Sequence, residues 1–313
     1  MSFAAEVKKE LCERGGNHTN LCLAELAALF LLGGRLEPGE NGQKNLRFSS
    51  DNALISKKCF TFLKKSFNMS LRVSEWEKSE GRRTEFSVLV EGNESVRTVL
   101  SALGFARTDG EGLSGSEWNS LTLKNQGCKR AWIRGLFLMG GRINDPAKSY
   151  HFEIGLPDLQ TADCLMRCIG EFTREPKLLQ RKQQWIVYVK DGAQIADLLT
   201  VMEAHVSLMH YENERIVREV RGSVNRRVNC EVSNLNKTLA AARKQAEDIA
   251  WIRDHMGLER LPENLQEVAR LRLEHTEASL QELGELLHPP LGRSGVNHRL
   301  QKLCEIAEGL RSN

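Results

Sequence analysis

Apolar positions recur at helical spacing in two stretches that nearly copy one another. Leu26-Ala27-Ala28-Leu29-Phe30-Leu31-Leu32-Gly33-Gly34-Arg35-Leu36 returns as Ile133-Arg134-Gly135-Leu136-Phe137-Leu138-Met139-Gly140-Gly141-Arg142-Ile143, a displacement of 107 residues from Phe30 to Phe137. Each copy keeps an apolar face, a glycine pair and a following arginine. Each predicts a buried helix stopped by a Gly-Gly cap, the first over 21–32. Glycine has no Cβ, so it tolerates positive φ and lets helix ends approach closely. The two copies are therefore expected to pack on each other about a pseudo-two-fold axis.

The pattern around each copy also repeats. Residues 2–12 form a short amphipathic helix, and Pro38 to Gly42 is turn chemistry. Leu46 and Phe48 mark a short strand. Asp51-Asn52 open a helix to about Phe67 that buries Leu54, Ile55, Cys59, Phe62, Leu63 and Phe67. Strands over 71–76 and 85–90, joined through Gly81-Arg82-Arg83, form a hairpin, and a helix over 95–103 closes the unit. The predicted order is helix, strand, helix, strand, strand, helix. In the second copy Phe152 stands for Phe48, the run Ile186 to Gly192 for Phe86 to Gly92, and Ile195, Leu198, Leu199 and Met202 for Val96, Val99, Leu100 and Leu103. Agreement across several elements signals duplication. One domain is expected over 1–210, with halves at about 21–104 and 128–205 and a Gly/Ser-rich linker at 105–127.

From Tyr211 strand patterns vanish, and helices are predicted over 213–225, 232–256, 262–275, 279–287 and 294–310. The fold class is α+β, a duplicated scaffold followed by an all-helical domain over 211–313. Within it, Ser279-Leu280-Gln281-Glu282 fits a capping box, and Ser294 is the expected N-cap of the last helix. Val296, Leu300, Leu303, Ala307 and Leu310 form a narrow apolar seam, leaving Asn297, His298, Arg299, Gln301 and Lys302 outward. Asn and Gln pair bidentately with adenine edges, while Arg and Lys read guanine or neutralise phosphate. A helix-turn-helix over about 279–310 presents this end of its second helix to a major groove, so Arg293, Ser294, Asn297, His298, Arg299, Gln301 and Lys302 are the candidate DNA contacts. The six-residue connection is longer than the usual tight turn.

Composition adds bounds. The 313 residues are 41% hydrophobic and 27% charged, an ordinary globular balance with room for two or three domains. The net charge of +3 leaves any nucleic-acid surface to a local patch. Met1 to Gly16 is polar, and no apolar run reaches bilayer length, which predicts a cytoplasmic protein with no membrane contact, nucleoid-associated through the DNA binding expected of the last helices. The eight cysteines include no C-x-x-C pair and are expected to be reduced thiols. No phosphate loop, H-E-x-x-H helix or G-x-S-x-G elbow occurs.

The duplicated helix ending in Gly-Gly resembles the LAGLIDADG homing-endonuclease scaffold. The whole chain, through Asn225-Arg226-Arg227-Val228-Asn229-Cys230-Glu231 and Leu291-Gly292-Arg293-Ser294-Gly295-Val296-Asn297-His298-Arg299-Leu300, resembles the bacterial WhiA regulators. In active endonucleases of that scaffold each motif helix carries an acid just before its last glycine, and the two acids hold divalent metal at the pseudo-symmetry axis. The matching positions here are Gly33 and Gly140, which cannot ligate a cation through a side chain. Glu37, Glu40 and Asp145 lie nearby at the wrong spacing, Glu37 aligning with Asn144, and are read as solvated loop residues. The resemblance implies no nuclease activity, no metal or other cofactor, and a regulator linked to sporulation, cell division and chromosome segregation.

Two further clusters are open to two readings each. Arg226, Arg227, Asn229 and Lys237, with Asn225 and Asn234, sit at a predicted helix-to-helix junction and suit either phosphate contact or interdomain docking. Arg72, Arg82, Arg83, Arg181 and Lys182 lie on or beside the paired hairpins, the surface that grips DNA in the endonucleases, and equally suit solvated strand edges. Double-stranded DNA is the expected partner, a regulatory protein the second; no small-molecule substrate is expected. The expected function is a non-enzymatic DNA-binding regulator of transcription; the alternatives are a divergent metal-dependent endonuclease and a protein-interaction scaffold.

Overall fold

The structure is a computed structural model that describes residues 1–16, 18–77, 84–105, 123 and 125–312. The loop at Arg82-Arg83 and most of the expected linker fall outside them. The chain divides into two compact units, Met1–Arg218 and Glu219–Asn313.

The first unit opens with α1 (Phe3–Glu13), followed by two runs of the same order. The first is α2 (Thr19–Gly33), β1 (Gly34–Pro38), β2 (Lys44–Ser50), α3 (Ala53–Phe67), β3 (Arg72–Glu77), β4 (Thr84–Val90) and α4 (Asn93–Leu103). The second is α5 (Gln126–Gly140), β5 (Gly141–Ile143), β6 (Phe152–Leu156), α6 (Leu159–Gly170), β7 (Lys177–Arg181), β8 (Gln184–Val189) and α7 (Gly192–Met202). Each run forms a four-stranded antiparallel sheet, ordered β1-β2-β4-β3 and β5-β6-β8-β7. The duplicated α+β scaffold predicted from the repeats is present.

Three details differ from the sequence reading. A strand, β1 or β5, follows each glycine pair without a break, so each run has four strands where three were expected. These strands pair with β2 and β6 across turns of five and eight residues, and a five- or three-residue segment that opens on a glycine is too short for its alternation to announce a strand. Second, Gly34 and Gly141 have φ of −88° and −82°, so the glycines are needed for clearance, not for a left-handed turn. A Cβ on Gly33 would lie 2.8 Å from the carbonyl oxygen of Ser49, and one on Gly140 2.6 Å from that of Gly155. Third, the registers shift. Phe48 pairs with Val88 and Ile154 with Val187, while Leu46 and Phe152 pair with Val90 and Val189. Phe48 thus corresponds to Ile154, and Val88 to Val187 at the displacement of 99 that also relates the third helices. A one-residue slip would turn a strand's buried face to solvent. Phe48 and Phe152 do share a role, packing on Phe30 and Phe137 with ring centroids 5.5 and 5.1 Å apart.

The core sits where α2 and α5 cross. A Cβ on Gly135 would meet Ala28 Cβ at 2.7 Å and the Glu25 carbonyl oxygen at 2.7 Å, so the expected close packing of the two copies is real. Leu54 is exposed, contrary to expectation, and Ser56 and Lys58 take its place in the buried face of α3. Lys58 is buried because a carboxylate, Glu25, waits inside (Nζ to Oε1 2.7 Å).

The long helix α8 (His205–His255) replaces the two helices expected over 213–225 and 232–256. No proline interrupts the Asn225–Asn234 stretch, and its asparagines are absorbed as exposed helical positions. Glu10 of α1 caps the N-terminus of α8, accepting from the backbone of Val206 and Ser207 at 2.8 Å each. Tyr211 is buried in the first unit beside Phe3 and Tyr150. The second unit packs the rest of α8 with α9 (Glu263–Glu274), α10 (Leu280–Leu286) and α11 (Arg293–Ser312) around Ile249, Ile252, Leu265, Val268, Leu283, Val296, Leu300 and Leu303.

Candidate nucleic-acid interface

The α10–α11 pair has the local chemistry its sequence asks for. Ser279 and Glu282 form a full capping box, Glu282 N to Ser279 Oγ 3.3 Å and Ser279 N to Glu282 Oε2 2.7 Å. Those bonds hold the Glu282 carboxyl below its ordinary range. The folded-state value being lowered, this contribution is present at neutral pH and is lost as pH falls through the carboxylate range.

The turn into α11 rests on a glycine the sequence reading passed over. Leu291 N donates to Gly284 O at 2.9 Å, and a Cβ on Gly284 would stand 2.1 Å from Leu291 O. Only a bare Cα lets residues 287–292 fold back on α10. A glycine inside a predicted helix, costly in propensity, is the signal that could have found it. Across the other turn Arg272 is buried and donates from Nη1 to Ala278 O at 2.7 Å, tying α9 to the start of α10.

Helix α11 starts one residue earlier than expected. Val296 N donates to Gly292 O at 3.2 Å, which makes Gly292 the capping residue and moves Ser294 into the first turn. Val296, Leu300, Leu303 and Ala307 are buried as predicted, and Leu310 packs at the edge. On the opposite side, successive helical turns place Ser294, His298, Gln301 and Lys302 together, all exposed. Arg293 is exposed on the first turn, whereas Asn297 and Arg299 are half-buried along the two margins of the seam. The predicted set is thus a central strip with two flanks. Arg311 closes the far end of α11 onto α8 with a 2.7 Å bond from Nη1 to the buried Asp248.

The other sequence candidates fall elsewhere. Arg226, Arg227, Asn229 and Lys237 are exposed in the middle of α8, with no helix junction there. Arg227 bonds Glu231 one turn on, at 3.2 Å. Arg72 begins β3 and pairs with Glu91 at 3.3 Å; Arg181 ends β7 and is exposed. Other sheet arginines are also matched by carboxylates: Arg47 Nε reaches both oxygens of Glu37 at 2.8 Å, and Arg142 lies 3.5 Å from Glu153. Glu37 is therefore a paired residue of β1 and not a solvated loop residue.

At the end of α2, where the resemblance would put an acid, a polar cleft of about 330 Å³ is lined by Lys8, Gly33, Arg35, Asp51, Glu85 and Met139 among others. Burial pulls the Lys8 ammonium down, and Asp51 opposes that. A divalent cation entering it would meet Lys8 and Arg35 and no acid on the helix end itself. Among the described residues no group of three or more His, Cys, Asp or Glu converges as a metal-binding set. Installing aspartate at both Gly33 and Gly140 is expected to give no Mg²⁺-dependent nicking of supercoiled DNA. It should also destabilise the first unit by about 2–4 kcal/mol, since each new Cβ meets a backbone carbonyl; thermal unfolding beside a nicking assay checks both.

Three family models cover most of the chain: the WhiA N-terminal LAGLIDADG-like domain over residues 20–106, the WhiA LAGLIDADG-like domain over 129–221 and the WhiA C-terminal HTH domain over 224–307. A protein of Lachnoclostridium phytofermentans named "Probable cell division protein WhiA" is 44% identical over 99% of this chain and 100% of its own length. A protein of Clostridium beijerinckii with the same name is 39% identical, with full coverage of both chains. The crystal structure of full-length DUF199/WhiA from Thermotoga maritima shares the fold, with TM-score 0.58, 24% identity and 98% of each chain covered. With its two LAGLIDADG-like halves and its C-terminal helix-turn-helix, this chain belongs to the WhiA family.

Proposed function

We propose that this protein is a non-enzymatic DNA-binding regulator whose main contact with duplex DNA is the exposed strip of α11. The carrying observation is the placement of Ser294, His298, Gln301 and Lys302 on the first turns of that helix, opposite a fully buried seam. That end of a helix supplies unpaired N–H groups for phosphate, while Gln301 reaches a base edge and Lys302 a phosphate. Arg293, Asn297 and Arg299 flank the strip and serve as backbone-positioning contacts. Arg47, Arg72 and Arg142 of the sheets are held by carboxylates, which makes the scaffold a lesser contributor, and Arg226 and Lys237 offer further phosphate contacts. The names of the relatives support a role in cell division; action through transcription at the nucleoid, with sporulation and chromosome segregation as the processes, is what the resemblance adds.

The full chain with Gln301→Ala and Lys302→Ala is expected to bind a 30-base-pair duplex at least ten-fold more weakly in fluorescence anisotropy. Loss of one phosphate contact lowers the slope of log affinity against log salt by about one. Unchanged affinity and slope at low and moderate salt would overturn the assignment of the strip.

A further inference from the structure

The polar cleft at the end of α2 has cations where a divalent-metal site has acids. Gly33 gives it backbone alone, and its positive charges are Lys8 on α1 and Arg35 on β1. Lys8 is half-buried, with its ammonium 5.8 Å from the centre of the Phe137 ring, and Arg35 is exposed. Neither makes an ion pair among the described residues. Burial is what pulls the Lys8 ammonium down; Asp51 opposes it, and Arg142 of β5 adds to it. Two cations without a counter-charge, one of them half out of water, favour an anion that enters from solution.

The rest of the lining sets the class of anion. Glu85 is already partnered, but Asp51 makes no hydrogen bond or ion pair among the described residues. A carboxylate so placed repels a bare phosphate and accepts from hydroxyl groups. Leu32, Ile55, Leu138 and Met139 add an apolar part to the lining. The volume of about 330 Å³ stands at the small end of small-molecule pockets, room for one compact ligand. We propose that this cleft binds a ribose 5-phosphate group, carried by a mononucleotide or by the free sugar phosphate, with the phosphate on Lys8 and Arg35 and the ribose hydroxyls on Asp51. Lysine supplies a point charge and arginine a two-pronged donor. A carboxylate holding ribose hydroxyls is the pairing used in dinucleotide sites. The apolar lining gives a nucleobase a surface, so the mononucleotide binds more tightly than the sugar phosphate. The cleft lies wholly within the first unit, and the inference stands apart from the reading of α11.

Isothermal titration calorimetry of the full chain with AMP, ribose 5-phosphate, adenosine and inorganic phosphate, at constant ionic strength, tests this. The expected result is a Kd on the order of 0.1–1 mM for AMP, several-fold weaker binding of ribose 5-phosphate, and binding of adenosine and inorganic phosphate at least ten-fold weaker than that of AMP. Lys8→Met with Arg35→Met weakens AMP at least ten-fold, while Arg181→Met, at the exposed end of β7, leaves it unchanged. Asp51→Asn separates the two ends of the ligand: it weakens AMP and tightens inorganic phosphate, because the repelling charge is gone. Thermal unfolding without ligand checks that the double variant is folded, and Arg35→Met alone, at an exposed position, is the milder second variant with a several-fold loss. No saturable heat with AMP up to about 5 mM overturns the proposal, as do equal losses in Arg181→Met or inorganic phosphate that binds as tightly as AMP. So does a 30-base-pair duplex that excludes AMP in a Lys8- and Arg35-dependent way, since the cleft would then hold DNA backbone.

Discussion

Replacing Glu25 with alanine is expected to destabilise the first unit by about 3–5 kcal/mol, the cost of leaving buried cations without their counter-charge. Glu25, on α2, is 1% exposed. Lys58 on α3 stands 2.7 Å from its Oε1 and donates to Leu11 O, while Arg134 on α5 donates from Nε to Oε2 at 2.9 Å. Arg134 reaches on to Met202 O at 3.2 Å and to Glu203 at 3.0 Å, and Glu203 also pairs with Arg14. Without Glu25, Lys58 keeps one neutral acceptor and Arg134 keeps only half of its charge balance. For a unit of this size the loss lowers the unfolding midpoint by roughly 10 °C, measurable by calorimetry. Glu25→Leu combined with Lys58→Met is expected to recover only part of the loss, because Met needs no counter-charge while Arg134 still lacks one of its two carboxylates. A Glu25→Ala protein with an unchanged midpoint would show that water reaches the cluster.

The same cluster explains why the halves are not interchangeable. By the displacement of the repeat, Trp132 occupies the position of Glu25, and Ala27 that of Arg134. The ion pair can form only between unlike halves, so each half is committed to the other and not to a copy of itself.

Gly284→Ala is expected to cost about 3 kcal/mol in the second unit, an overpacking penalty against backbone that cannot swing aside. The added Cβ would sit 2.1 Å from Leu291 O, and the Leu291 N to Gly284 O bond would break as the turn moved away. Because that turn delivers the first residues of α11, affinity for a duplex should fall at least ten-fold although no proposed contact residue has changed. Gly292→Ala, where a Cβ meets nothing within 4 Å, should leave affinity nearly as it was. Urea unfolding and anisotropy on the two variants check this; equal behaviour would mean the turn has slack.

The sequence by itself determined the features that depend on local spacing: the duplicated α2 and α5, the hairpins, the capping box of α10 and the buried seam of α11. Each is encoded by residues within a few turns of one another, where periodicity and side-chain chemistry suffice. Set against the motif that the resemblance supplies, Gly33 and Gly140 stand where acids are expected. Only the tertiary structure decided the pairing of β1 and β5, the strand registers, the continuity of α8, the turn held by Gly284 and the Glu25–Lys58–Arg134 cluster. Glu25 looked like any polar residue in an apolar run, and Lys58 like a solvated lysine, because their partners lie 33 and 109 residues away. Whether a charge can be buried, or a Cβ accommodated, depends on what the rest of the chain brings to within 3 Å of it, and local pattern carries no record of that distance.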